Sequence, residues 1–133
     1  MTAANRSVQM QEVPAKVYRS EGRVVVAVPM PGLEPQDIAV EVQDGPRVTV
    51  HGELRGTLKD EKDVLVDEWN PGPYHRELQL PEPVDGERAN VTYNNGVLVV
   101  NLPSAEETRP ANISLEARSS TQGERVGHRG QQG

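Results

Sequence analysis

An all-β fold, an antiparallel sandwich of two sheets, is what this chain predicts, and three observations carry it. Short runs rich in Val, Ile, Leu and Thr recur from Arg23 to Leu102 at regular spacing. The prolines from Pro29 to Pro103 lie at the ends of these runs or between them, as a hydrogen-bond ladder that uses its N–H groups requires. No segment shows the apolar spacing of an amphipathic helix. Repeated strand and turn signals without helical periodicity point to a sandwich. The 133 residues suffice for one such core and not for two. With 3% aromatic residues and no phenylalanine, that core has to be aliphatic.

Residues 1–13 are polar, with Val8, Met10 and Val13 as their larger apolar side chains, and read as a flexible arm. Pro14 to Tyr18 reads as a short edge strand, and Glu21-Gly22 as a turn. Arg23 to Val28 is a β-branched strand that is apolar on both faces and stops at Pro29 and Pro31. Met30 to Pro35 is a connection rich in turn residues. Ile38, Val40 and Val42 then alternate with polar neighbours. After the Asp44-Gly45-Pro46 turn, Val48, Val50 and Leu54 alternate again, so 38–54 is a hairpin.

Residues 55–73 read as a protruding, charged loop. Within it Val64-Leu65-Val66 is expected as a short strand, followed by Asp67-Glu68-Trp69 and the turn Asn70 to Pro73. Tyr74 to Leu80 is the next strand, with Tyr74, Arg76, Leu78 and Leu80 on one face, ended by Pro81 and Pro83. Val84 to Arg88 is a connection, and Ala89 to Tyr93 leads into Asn94-Asn95-Gly96, a tight hairpin turn. Val97 to Leu102 follows, apolar on both faces for most of its length. A strand of that kind is buried on both sides or keeps one apolar face for a partner. The domain so built spans 14–104. Residues 105–133 form a flexible extension too polar to bury a core, in which Ile113 and Leu115 stand out.

No catalytic chemistry is legible. There is no Gly-x-Ser-x-Gly elbow, phosphate loop or His-Glu-x-x-His, and the three histidines are scattered. Asp60, Glu61, Asp63, Asp67 and Glu68 lack the glycine and spacing of a calcium loop and read as a solvated run. No cysteine is available for a disulfide or thiol site, and no cofactor or metal is expected. The net charge of −6 sits on residues 14–104, while both ends are balanced, which argues against nucleic acid and anionic membranes as partners. With no apolar leader or membrane-length run, a soluble, cytoplasmic chain is expected.

Several motifs, in order, resemble the small heat-shock proteins, whose core is the α-crystallin domain. Gly96-Val97-Leu98, then Val100, Leu102 and Pro103, is similar to that family's A-x-x-x-n-G-V-L signature, with Val91 in place of its usual Ala. Val28 to Leu33 is similar to its Pro-Gly corner, and Pro35 to Val42 to its charged strand entry. Gly72 to Pro81 resembles its G-x-F-x-R-x-f-x-L-P, with Tyr74 in place of Phe. Ile113-Ser114-Leu115 resembles its I-x-I/V tail motif. The resemblance covers roughly 14–115. It implies an immunoglobulin-like sandwich and an ATP-independent holdase that binds unfolding client proteins.

By the same resemblance, Ile113 and Leu115 would dock in a groove between the strands at 38–43 and 89–93, formed by Ile38, Val40, Val42, Val91 and Tyr93. Docking there would link dimers or mask a client site. A homodimer would form when 64–66 of each subunit adds to the first strand of the other, with higher oligomers beyond it. That interface would use Val17, Tyr18, Val64, Leu65, Val66, Trp69, Tyr74 and Arg76, with Arg76 as a charged anchor or an ordinary surface arginine. The alternative is an interaction module of the co-chaperone CS-like sandwich type, which holds no clients. Those sandwiches generally lack both the inserted strand and the tail motif.

Overall fold

The structure, a computed structural model, describes residues 11–54, 63–69, 72–119 and 122–125. Among them are eleven strands: β1 (Gln11–Glu12), β2 (Lys16–Ser20), β3 (Arg23–Pro29), β4 (Ile38–Gln43), β5 (Arg47–Gly52), β6 (Tyr74–Gln79), β7 (Asn90–Asn94), β8 (Val97–Pro103), β9 (Ala111–Ser114), β10 (Glu116–Ser119) and β11 (Gln122–Arg125). They form two sheets, ordered β1-β6-β5-β4-β9 and β10-β11-β7-β8-β3-β2. Every pairing is antiparallel except the short β1–β6 contact.

The hairpins follow from local chemistry. At the β7–β8 turn Asn94 pairs with Val97, and Asn95 and Gly96 both take positive φ, 53° and 81°. A two-residue turn with two left-handed residues matches the twist of the strands it joins. Gly96 also closes onto the Pro-Gly corner, where its carbonyl accepts from the Met30 N–H at 2.8 Å. The alternation read from sequence is the burial pattern. Ile38, Val40 and Val42 face Val48 and Val50 across β4–β5, and Leu98, Val100 and Leu102 face Val24, Val26 and Val28 across β3–β8, all buried.

Two buried phenols fasten the corner after β3. Tyr93 donates to the Met30 carbonyl at 2.7 Å, and Tyr74 donates to the Pro31 carbonyl at 2.8 Å. Met30 is completely enclosed, and Leu33 packs beside it. Asp37, a buried carboxylate, accepts from the Glu34 N–H at 3.0 Å and so shapes the single 3-10 turn that leads into β4.

Several expectations require correction. The fold begins before Pro14: the Gln11 N–H donates to the Pro73 carbonyl, β1 lies beside β6, and Val13 belongs to the core. The edge strand starts at Lys16 rather than Pro14. Val64-Leu65-Val66 pairs with no other described strand of its own chain, as expected of a segment meant for a partner subunit. The fold does not stop at 104, since 111–114 and 122–125 extend the two sheets. Residues 1–10 of the expected arm, 55–62 and 70–71 of the loop, and 120–121 and 126–133 of the tail lie outside the described residues.

Burial holds the Tyr74 and Tyr93 phenols above the ordinary value of 10.0, desolvation of the anion being the main cause for each. An acid whose folded-state pKa is raised contributes stability that is complete below the unfolded value and is lost as pH climbs through the folded one. Tyrosinate absorption from Tyr74 and Tyr93 should therefore emerge only as the far-ultraviolet β signal disappears. In a Tyr74→Phe/Tyr93→Phe variant this coupled alkaline step should vanish, which a parallel absorbance and circular dichroism titration checks.

Candidate functional site

The side of the sandwich where β4 and β7 lie opposite one another is the site to which the sequence directs attention. Ile38, Val40 and Val42 from β4 and Val91 and Tyr93 from β7 all lie there, and all are buried. The structure brings the tail motif to the same place. β9 pairs with β4 in the register Ala39–Ser114, Val40–Ile113, Glu41–Asn112 and Val42–Ala111. Ile113 and Leu115 are 2% and 3% exposed and join the core cluster of the domain itself. In an extended chain residues two apart point the same way, so one short motif presents both side chains to the core. Beyond Leu115 the chain crosses to the other sheet, where β11 pairs with β7.

The connection that delivers the tail is fastened along its length. The Ser104 N–H donates to the Gly22 carbonyl and the Ala105 N–H to the Pro83 carbonyl. Arg109 then makes a two-way backbone clasp: its N–H donates to the Val84 carbonyl at 2.9 Å, and its carbonyl accepts from the Gly86 N–H at 2.8 Å. The Arg109 guanidinium lies 3.8 Å from Asp85, whose other oxygen accepts from the Glu87 N–H. A Cβ on Gly86 would sit 2.6 Å from the Arg109 carbonyl oxygen and 2.8 Å from Val42 Cβ. Only glycine allows that approach. The tail thus leaves the clasp already aimed along β4. Sequence reading treated 84–88 as a plain connection and missed this; Gly86, two residues after Val84, was the available signal.

The residues expected at a dimer interface divide into two groups. Val17, Tyr18, Val64, Leu65, Val66 and Trp69 are exposed, Leu65 at 93%. β2 pairs with β3 on one side and with no described strand on the other. Arg19 on β2 binds Glu82 at 2.8 Å; with a hydrogen bond from Ser104 and this arginine, the Glu82 carboxyl is held below its ordinary range. Tyr74 and Arg76 make their contacts within their own chain. Tyr74 is buried beneath Pro31, and Arg76 is partly buried and donates to the Val13 carbonyl at 2.8 Å within its own chain.

His51 and His75, read as scattered, are register partners on β5 and β6, with ring centroids 6.0 Å apart. No group of three or more His, Asp or Glu suited to a metal occurs among the described residues. No helix of the described residues is long and apolar enough to cross a membrane.

The profile of the Hsp20/alpha crystallin family matches residues 16–116. The chain belongs to that family. Over 120 residues it is 32% identical to the 19.0 kDa class II heat shock protein of Oryza sativa, covering 84% of this chain and 69% of that one. Over 125 residues it is 30% identical to spore protein SP21 of Stigmatella aurantiaca, covering 92% and 73%. Among solved structures, heat shock protein 16.0 of Schizosaccharomyces pombe superposes with a TM-score of 0.63 at 26% identity, over 78% of this chain and 74% of that one. The hspA protein of Xanthomonas axonopodis, at 22% identity and a TM-score of 0.61 over 75% and 100%, shares the fold. This is a family of small heat-shock chaperones, and membership supports a chaperone role.

Gly86→Ala tests the clasp. Overpacking against a backbone oxygen costs about 1–3 kcal/mol. The variant should show a lower denaturation midpoint with an unchanged denaturant slope. Amide exchange at Gly86 and Arg109 should rise well above that at β3 and β8.

Proposed function

We propose that this protein is an ATP-independent holdase that captures partly unfolded chains and keeps them from aggregating. The observation that carries the reading is the β4 edge with its buried apolar row, covered by a strand of the chain's own tail. A strand that docks by backbone pairing and two aliphatic side chains is a stand-in for an extended apolar client segment. Family membership supports the same reading. The tail then acts as a plug: docked, it masks the groove; undocked, it leaves Val40 and Val42 to a client. Ordering the tail costs conformational entropy, which keeps the plug detachable.

The exposed segment Val64 to Trp69 and the open edge of β2 support a two-fold dimer in which each subunit's segment adds to the other's β2. A segment without a ladder in its own chain gains one there. Higher oligomers would build on that unit. The reading as a CS-like module without holdase activity gains from the lack of a strand at 64–66, but it does not account for the docked Ile113 and Leu115.

Without nucleotide, near-stoichiometric protein should suppress light scattering of heat-unfolded clients. No suppression of any client at several-fold excess would overturn the holdase reading. Ile113→Ala/Leu115→Ala should undock the tail, since truncating a buried aliphatic costs about 2 kcal/mol or more, over tenfold in the docked fraction per residue. Hydrophobic-dye binding should rise accordingly.

Deleting 60–67 should give a folded monomer by light scattering. A deletion variant that stays dimeric places the interface elsewhere.

A further inference from the structure

The tail does not end its work at Leu115. β4 and β7 belong to different sheets, and β9 pairs with β4 while β11 pairs with β7. The second pairing has its own register: Tyr93–Gly123, Thr92–Glu124 and Val91–Arg125. Buried Leu115 lies at the crossing, between the last residue of β9 and the first of β10. β10 and β11 pack against the Pro35–Asp37 turn at the entrance to β4. Without β11, the outer edge of Val91–Tyr93 would present an open row of backbone groups beside the apolar interior.

We propose that the outer edge of β7 is a second strand-docking site, separate from the β4 edge, and that Gln122–Arg125 of this chain is its resident strand. The inference rests on the reading of the tail as a detachable plug and adds a second lock to it. The two locks are chemically unlike. Ile113 and Leu115 anchor the first with buried aliphatic side chains. The sequence Glu116 to Arg125 offers no aliphatic larger than Ala117, so the second is held by its backbone ladder. A ladder with no apolar anchor opens more often than one with two. Release is therefore ordered: β11 leaves β7 first, and the β9 plug leaves β4 afterwards. While β11 is away, the β7 edge accepts another extended segment without loss of the Ile113–Leu115 plug.

Hydrogen exchange tests this without any client, so its outcome is independent of the holdase assay. In the full chain, amides of 91–93 that face β11 should exchange faster than amides of β4 that face β9. A chain ending at Glu116 keeps the plug and lacks β11. In it, exchange at 91–93 should rise at least tenfold while β4 stays protected, and an added peptide of residues 116–126 should restore protection. Gly123→Pro in the full chain, which removes a donor and does not fit a ladder interior, should give the same pattern. The proposal is overturned if exchange at 91–93 is unchanged in both variants. It is equally overturned if β4 loses protection in step with β7, since the two edges would then be one site.

Discussion

The β4 edge is the constraint around which this chain is arranged. Its backbone groups point away from β5 and sit directly above Ile38, Val40 and Val42 of the core. Left open, such an edge exposes unpaired donors and acceptors together with apolar side chains, the combination that templates aggregation. The chain covers it with its own β9 and places Ile113 opposite Val40. That pairing sets where β10 and β11 begin. Leu115 fills the gap between the sheets, and the continuing chain lies within reach of β7. A core without phenylalanine gives this a further role. Aliphatic side chains fill space in small units, and two tail residues complete a cluster that strands β1 to β8 leave open on one side.

The clasp at Gly86 and Arg109 explains why the tail finds its own domain. A freely jointed linker could deliver Ile113 to any copy of the groove, with loop entropy as the only bias. Here three backbone anchors, at Gly22, Pro83 and the Val84–Gly86 turn, fix the path of 104–109 before β9 begins. The direction of the tail is thus decided at a turn on the opposite connection of the sandwich, by a residue whose contribution is the absence of a side chain.

Most of the sandwich was legible because its signals are local. Alternation at 38–42 and 48–50 and the Asn95-Gly96 turn specify strands and register without reference to anything distant. The two tail aliphatics, Ile113 and Leu115, stand out in a polar setting. What sequence could not supply was long-range. The Arg76 guanidinium donates to the Val13 carbonyl, 63 residues away, and the Tyr74 hydroxyl to the Pro31 carbonyl, 43 residues away, and no local pattern foretells either bond. Val64 to Val66 has the composition of a strand, but a strand exists only through a neighbour, and this chain provides none among the described residues. The pairing of polar 122–125 with β7 left no trace in hydrophobic pattern, because its bonds are made by backbone groups that every sequence has.

The two long sides of the sandwich are therefore handled in opposite ways. On the β4/β7 side the chain supplies its own strands, β9 and β11, so that side is closed in this structure. On the β2 side the edge stays open, and Val17 and Tyr18 are exposed beside it, while Val64 to Trp69 is exposed elsewhere on the same chain. An open edge and an unpaired apolar segment on one molecule are complementary between two molecules, and a two-fold axis satisfies both at once. In the dimer proposed above, assembly through β2 would leave the β4/β7 side untouched. Under the proposed function, capture and assembly would use different edges, and release of the plug would not require the dimer to dissolve.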